Sequence, residues 1–231
     1  MLGRDDICFP TYRALSWLMA RDYPLLALCN PIFSNENDPV KRRQLPVLYS
    51  ARAYGFYSLS GNVGSRFGHA VGWAIASAYK GDDTIALANI GEGTTAEGDF
   101  HEALTFASVY HAPIILCITN NQWAISSFQG IAGGSETTVA AKAIGYGLPG
   151  LRVDANDFQG GLGGDALGRR ARPDQPRLRS SNSSPYRVAG HSTSDDPARY
   201  ARPEKPNIGP SATPSSGSTS TWSPPGSRMS R

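Results

Sequence analysis

The sequence predicts an α/β fold, a doubly wound and mostly parallel sheet with helices on both faces, and three observations carry that reading. Two short apolar runs, Thr84–Ile90 (TIALANI) and Pro113–Thr119 (PIILCIT), lack the alternation of a half-solvated strand and read as strands buried on both faces. Between them, Ala96–Tyr110 places Phe100, Leu104, Ala107 and Val109 near helical spacing. A strand, helix and strand of that length form a right-handed crossover joining parallel strands. The third observation is where the core can be. Of the last 73 residues, 33 are Pro, Ser or Gly and only five are Leu, Ile, Val or Phe. Such a segment cannot bury enough surface to offset the entropy of ordering it. Residues 1–158 therefore form the folded domain, and 159–231 read as a disordered, low-complexity tail.

Taken in order, residues 11–29 form a helical stretch with Leu15, Leu18, Met19 and Leu26 at its spacing, interrupted at Pro24. Residues 30–60, rich in Asn, Pro and Arg, form a long irregular segment. From Asn62 to Tyr79, small residues including Gly64, Gly68, Gly72 and Ala74 alternate with Val71, Trp73 and Ile75, as in a helix lying close against a neighbour. Residues 135–147 form a further helix. Leu151–Asp154 adds a third strand to the sheet.

Charge and composition exclude several functions. The chain carries a net +3, but the tail alone holds 11 Lys plus Arg against 5 Asp plus Glu, leaving the first 158 residues at −3. No basic stripe with interleaved aromatics accompanies that charge, so nucleic acid is not the expected partner. Cys8, Cys29 and Cys117 are odd in number and scattered, which argues against a disulfide framework or a Cys-based zinc site. No run of 18 apolar residues could cross a membrane, and the opening MLGRDD is not a secretory signal. A cytoplasmic protein is the expectation.

In open parallel sheets, ligands sit beyond the carboxyl ends of the strands. Gly91-Glu92-Gly93 ends the first strand and Asn120-Asn121 ends the second, so both face one crevice. The Glu92 carboxylate and an Asn121 amide oxygen are hard donors of the kind Mg²⁺ takes, and that ion completes its octahedron with phosphates and water. Gly93 lets the backbone approach a phosphate, and a helix starting near Ala96 points free N–H groups the same way. These residues read as a Mg²⁺-diphosphate site. The plainer alternative is that the glycines only shape a turn while the asparagines end a strand. Neither a P-loop nor a Gly-x-Gly-x-x-Gly element follows a strand here.

Gly91-Glu92-Gly93, the spacer to Asn120-Asn121 and the following Gln122-Trp123-Ala124-Ile125-Ser126 resemble the thiamine-diphosphate-binding fold. More narrowly, they are similar to the alpha subunits of 2-oxo acid dehydrogenase complexes. The resemblance runs from about Gly3 to Phe158, through Arg4-Asp5-Asp6, Pro10-Thr11-Tyr12-Arg13, Arg43-Gln44-Leu45-Pro46 and Arg152-Val153-Asp154. It implies Glu92, Asn121 and the Trp123 carbonyl as Mg²⁺ ligands. It implies Tyr12, Arg13, Gly61, Val63, Gly91, Gly93 and Thr94 as contacts to thiamine diphosphate. Two residues depart from the pattern. Glu92 replaces the wider family's Asp. Arg66 stands where branched-chain members have a Gln beside a monovalent-cation site formed with residues matching Ser60, Asn62 and Ser65, so a bound K⁺ is disfavoured or replaced.

A displaced match, Tyr186–Pro197 (YRVAGHSTSDDP), resembles the family's active-site loop and makes His191 the catalytic residue and a cofactor contact. A side chain titrating near neutrality suits proton transfer. His69, His101 and His111 read as surface or packing residues. The loop and the Arg-Gln-Leu-Pro segment lean towards branched-chain members. The implied chemistry is oxidative decarboxylation of 2-oxoisovalerate and its homologues, with the acyl group passed to lipoamide. The implied partners are a beta subunit in an α₂β₂ tetramer and a lipoyl acyltransferase core. Other readings stay open: the alpha subunit of a pyruvate or acetoin dehydrogenase, or an inactive fragment that only associates with a partner. The resemblance also implies that residues 1–158 are N-terminally incomplete. The 27 residues from Gln159 to Pro185 keep the family's spacing but show neither helical nor strand periodicity. Reading out of frame, compensated before Tyr186 and lost again near Ala201–Glu204, would give that pattern. The chain would then lack the strand and helix that carry His191 to the crevice.

Overall fold

In the computed structural model, residues 2–130, 137–153, 177–181, 187 and 189–200 are described. Five parallel strands form one sheet: β1 (Ile7–Phe9), β2 (Ala86–Gly91), β3 (Ile114–Thr119), β6 (Gly150–Val153) and β7 (Arg177–Ser181), in the order β1-β2-β3-β7-β6. Helix α3 (Ser65–Lys80) precedes β2, and α4 (Gly98–Val109) forms the crossover from β2 to β3. A two-stranded hairpin, β4 (Trp123–Ala124) with β5 (Ser127–Phe128), follows β3.

The crossover forms as its pattern requires. Ala86, Ala88 and Ile90 of β2 and Ile114, Leu116 and Ile118 of β3 point to one face. They meet Phe67, Ala70, Val71 and Ala74 of α3 and Phe100, Ala103, Leu104 and Ala107 of α4. These helical residues recur every three or four positions, so each helix turns one stripe to the sheet. Val109 falls outside that stripe and is exposed. Gly81 ends α3 in the left-handed conformation at φ 76°, where its N–H reaches the Ser77 and Ala78 carbonyls.

A second cluster covers the opposite side of β1. Cys8 faces it, with Leu18 of α1 (Leu15–Met19), Leu28 of α2 (Leu25–Ile32), Tyr49 and Phe56. Pro24 separates α1 from α2, as its fixed φ and missing N–H dictate. Helical elements thus lie on both faces, α3 and α4 on one and α1 and α2 against β1 on the other. Cys8, Cys29 and Cys117 form no disulfide with one another. No helix among the described residues is long and apolar enough to cross a membrane.

Several features differ from the sequence reading, the β4–β5 hairpin among them. β1 was not foreseen. The expected helix over 135–147 is a 3₁₀ helix, Val139–Tyr146, started by the Thr138 side chain accepting from the Ala141 N–H and ended at Gly147 with φ 68°. Between Gly91 and α4 lies a 3₁₀ turn, Glu92–Ala96, so α4 begins only at Gly98. The largest correction is in the tail. A strand does precede the active-site loop: β7 pairs in parallel with β3 on one side and β6 on the other. Parallel pairing is made by the backbone, so a strand held between two neighbours needs no apolar alternation of its own. The remainder of 154–186, residue 188 and all of 201–231 lie outside the described residues.

Candidate functional site

Three adjacent parallel strands end at one place. Tyr12 and Arg13 follow β1, Glu92 and Gly93 follow β2, and Asn120 and Asn121 follow β3. A cavity of about 450 Å³ opens there. Tyr12, Arg13, Val63, Gly91, Glu92, Gly93, Thr94, Asn121, Trp123 and His191 all line it. The cavity lining does not include Gly61, which is exposed.

Glu92 is the most unusual group in this cavity. It is only 4% exposed, and one carboxylate oxygen, Oε1, is sealed from solvent without a hydrogen-bond partner. Its other oxygen accepts from the Asn121 N–H at 3.4 Å. Burial pushes the Glu92 carboxyl above its usual range, opposed by backbone N–H groups and by Arg187. An orphaned, buried carboxylate oxygen costs about 1–3 kcal/mol, and a cation would relieve it. The residues present therefore fit a hard metal ion, with Glu92 and the Asn121 amide oxygen as donors of the right class. Among the described residues no group of three His, Cys, Asp or Glu could hold one, so such a site depends on amide and carbonyl oxygens.

The β4–β5 hairpin presents Trp123 to the cavity. The Asn121 Oδ1 accepts from the Trp123 N–H at 3.0 Å, while the Asn120 side chain holds the Gln122 N–H and the Gln129 side chain, each at 2.8 Å. The tight turn puts Gln122 at φ 70° and Ile125 at φ 54°. A β-branched residue in that region is strained, at about 1–3 kcal/mol. The Gly93 position is set by contact: a Cβ there would collide with the Ala124 Cβ. Gly93 is thus needed for the approach of hairpin to turn, and it also lines the cavity.

His191 reaches this cavity from the far end of the chain. Its Nδ1 faces the Arg13 Nη2 at 3.1 Å and the Arg187 Nη1 at 3.4 Å, and its Nε2 lies 3.3 Å from the Tyr12 hydroxyl. Two arginine donors aimed at Nδ1 assign the acceptor to that atom and the proton to Nε2. Burial, then Arg13 and Arg187, holds the imidazole pKa below its ordinary value, while Asp195 opposes them. The loop around it is latched. The His191 N–H donates to Asp195 at 2.6 Å, and the Asp195 carboxylate also accepts from the Tyr200 hydroxyl at 2.5 Å. Arg187 donates to the Ile125 carbonyl at 2.5 Å and the Tyr200 hydroxyl at 2.6 Å. This latch ties the loop to the strained hairpin. Arg187 lay within the loop match, but nothing in its spacing assigned it this role.

The monovalent-cation region is already engaged. The Ser60 hydroxyl accepts from the Asn62 N–H, the Ser65 hydroxyl donates to the Asn62 carbonyl, and Arg66 donates to the Ser60 carbonyl at 2.6 Å. His101 pairs with the Tyr146 hydroxyl and His69 packs beside Tyr57, away from the cavity.

A family described as the dehydrogenase E1 component matches residues 1–214. The chain belongs to this E1 family. It is 53% identical over 201 residues to the 2-oxoisovalerate dehydrogenase subunit alpha of Pseudomonas aeruginosa, covering 86% of this chain and 48% of that protein. To the mitochondrial counterpart of Mus musculus it is 36% identical over 211 residues, 89% of this chain and 46% of the other. The chain spans about half the length of the curated relatives it matches. Among solved structures, the transketolase of Leishmania mexicana superposes with a TM-score of 0.59 at 19% identity, over 77% of this chain and 28% of that one, which shows the shared fold. The E1 match crosses residues 159–185, where the sequence alone shows no periodicity, and includes the His191 loop.

Proposed function

We propose that this E1 chain is the alpha subunit of a branched-chain 2-oxo acid dehydrogenase, binding Mg²⁺-thiamine diphosphate in the cavity at the ends of β1, β2 and β3. The buried Glu92 Oε1, without a partner until a cation arrives, is the observation that carries this reading. Glu92, the Asn121 amide oxygen and the Trp123 carbonyl would hold the metal, and Tyr12, Arg13, Val63, Gly91, Gly93 and Thr94 would line the cofactor. When bound, the cofactor supplies the carbanion and the electron sink for decarboxylating a 2-oxo acid. The protein does the rest. Arg13 brings a planar fork of donors suited to phosphate. His191, neutral and carrying its proton on Nε2, donates to the reacting centre. The latch of Arg187, Asp195 and Tyr200 fixes the imidazole so that this proton stays aimed inward.

The names of the relatives support 2-oxoisovalerate and its homologues as substrates. A beta subunit would complete the site and form the α₂β₂ tetramer, and a lipoyl acyltransferase would accept the acyl group. The chain co-expressed with a beta subunit is assayed for decarboxylation of 2-oxoisovalerate and of pyruvate, and for carbon–carbon cleavage of acetoin, which has no carboxyl group to lose. The reading expects turnover of the branched substrate and none by the chain alone. Preference for pyruvate or acetoin, or full activity without a beta subunit, would overturn it.

A further inference from the structure

Arg66, the second residue of α3, forms part of the wall of the same cavity. It is 4% exposed, yet among the described residues no carboxylate forms an ion pair with it. Its Nη2 donates to the Ser60 carbonyl, while its Nε is sealed from solvent and has no partner. Glu97, which also lines the cavity, and Asp99 lie over Gly64 at the start of α3; both are exposed, and neither pairs with Arg66. Burial lowers the guanidinium pKa, with Tyr12 opposing, and arginine remains charged regardless. A buried cation without a counter-charge costs several kcal/mol. No side chain caps the first turn of α3, whose Phe67 N–H turns back to the Gly64 carbonyl, and the start of this 16-residue helix lies beside Val63 and Arg66, both in the cavity wall.

We propose that Arg66 is an anion-binding residue of the cavity, its guanidinium and the first turn of α3 together taking an oxygen of the bound diphosphate. The inference rests on the cofactor reading above and adds to it a second arginine, on a different wall from Arg13. A carboxylate of the 2-oxo acid offers the same chemistry. The helix N-terminus favours phosphate, because several N–H groups converge where one tetrahedral group can take them.

Calorimetry on the full chain decides between these cases, titrating Mg²⁺ with thiamine diphosphate, Mg²⁺ with inorganic diphosphate, and 2-oxoisovalerate. Wild type is compared with Arg66→Gln and Arg66→Lys, and each unligated protein is melted. Arg66→Gln is expected to weaken both diphosphates by about 10–100-fold, as loss of a charge-assisted bond predicts. Its unligated melting temperature should equal or exceed that of wild type, since a buried charge has gone. Arg66→Lys keeps the charge and should lose less. A wild type that binds neither diphosphate sinks the cavity reading and the inference with it. A wild type that binds, with Arg66→Gln binding as tightly, sinks the inference alone. Weakened 2-oxoisovalerate with unchanged diphosphate transfers Arg66 to the substrate and overturns the phosphate assignment. A lower melting temperature in both variants, with unchanged affinity, would make Arg66 a packing residue.

Discussion

Gly93→Ala tests how the cavity is built. The added methyl would occupy the space of the Ala124 Cβ, whereas two carbons settle at about 3.5–4.0 Å. Backbone must therefore move, either the 3₁₀ turn that carries Glu92 or the hairpin that carries Trp123. Overpacking of this kind costs about 1–3 kcal/mol. For a chain of this size each kcal/mol lowers the melting temperature by about 2–4 °C, so a fall of about 2–12 °C is expected. Binding of Mg²⁺-thiamine diphosphate should fall with it, because Glu92 and the Asn121–Trp123 segment would separate. Ala124→Gly removes the atom in the way. On its own it costs about 0.5–1 kcal/mol, the price of glycine in a strand. In the double variant it should return at least about 1 kcal/mol of stability and most of the binding. The assay is a double-mutant cycle of thermal melts and cofactor titrations. A Gly93→Ala protein that melts and binds like wild type, or a double variant that shows no rescue, would refute the contact.

Three further outcomes are expected. With its pKa held below 6.5, His191 refuses a proton that the unfolded chain accepts. Stability is thus complete above that pH and falls as pH drops towards the lowered value; urea midpoints should show this slope in wild type and lose it in His191→Gln, and identical slopes would contradict it. Arg187→Met breaks the contacts to Ile125 and Tyr200, so amide exchange over residues 189–200 should quicken while α3 and α4 stay protected; unchanged exchange in the loop would be contrary. Translation of the coding nucleotides in all three frames should reveal an amphipathic helix followed by an apolar strand across residues 159–185, and no such frame would end the out-of-frame explanation.

The crossover was legible in the sequence because its physics is local. Two apolar runs had to be buried, and Phe100, Leu104 and Ala107 had to share one helix face. The Glu92 and Asn121 ends followed from parallel topology alone. The 3₁₀ helix at Val139–Tyr146 was legible in place but not in type, since i to i+3 bonding leaves little mark on a pattern. β1 was hidden by its length of three residues between Asp5-Asp6 and Pro10. The β4–β5 hairpin carries a left-handed Ile125, against every residue preference for that conformation, so no turn rule could find it. β7 is held by backbone pairing on both edges, and its register with β3 and β6 is a property of the sheet rather than of its own residues. The placement of His191 against Arg13 depends on that strand, which is why residue patterns alone left it without a route to the cavity.

The central claim is that the cavity beyond β1, β2 and β3 binds a diphosphate through a divalent metal held by Glu92 and Asn121. Titration of thiamine diphosphate into the chain, with Mg²⁺ and with the metal chelated, tests it most directly when repeated on Glu92→Ala and Asn121→Ala. The account predicts binding to wild type only when Mg²⁺ is present, and no measurable binding to either variant, because an octahedral ion tolerates little loss of its oxygen ligands. Equal affinity after chelation, or wild-type affinity in both variants, would contradict it.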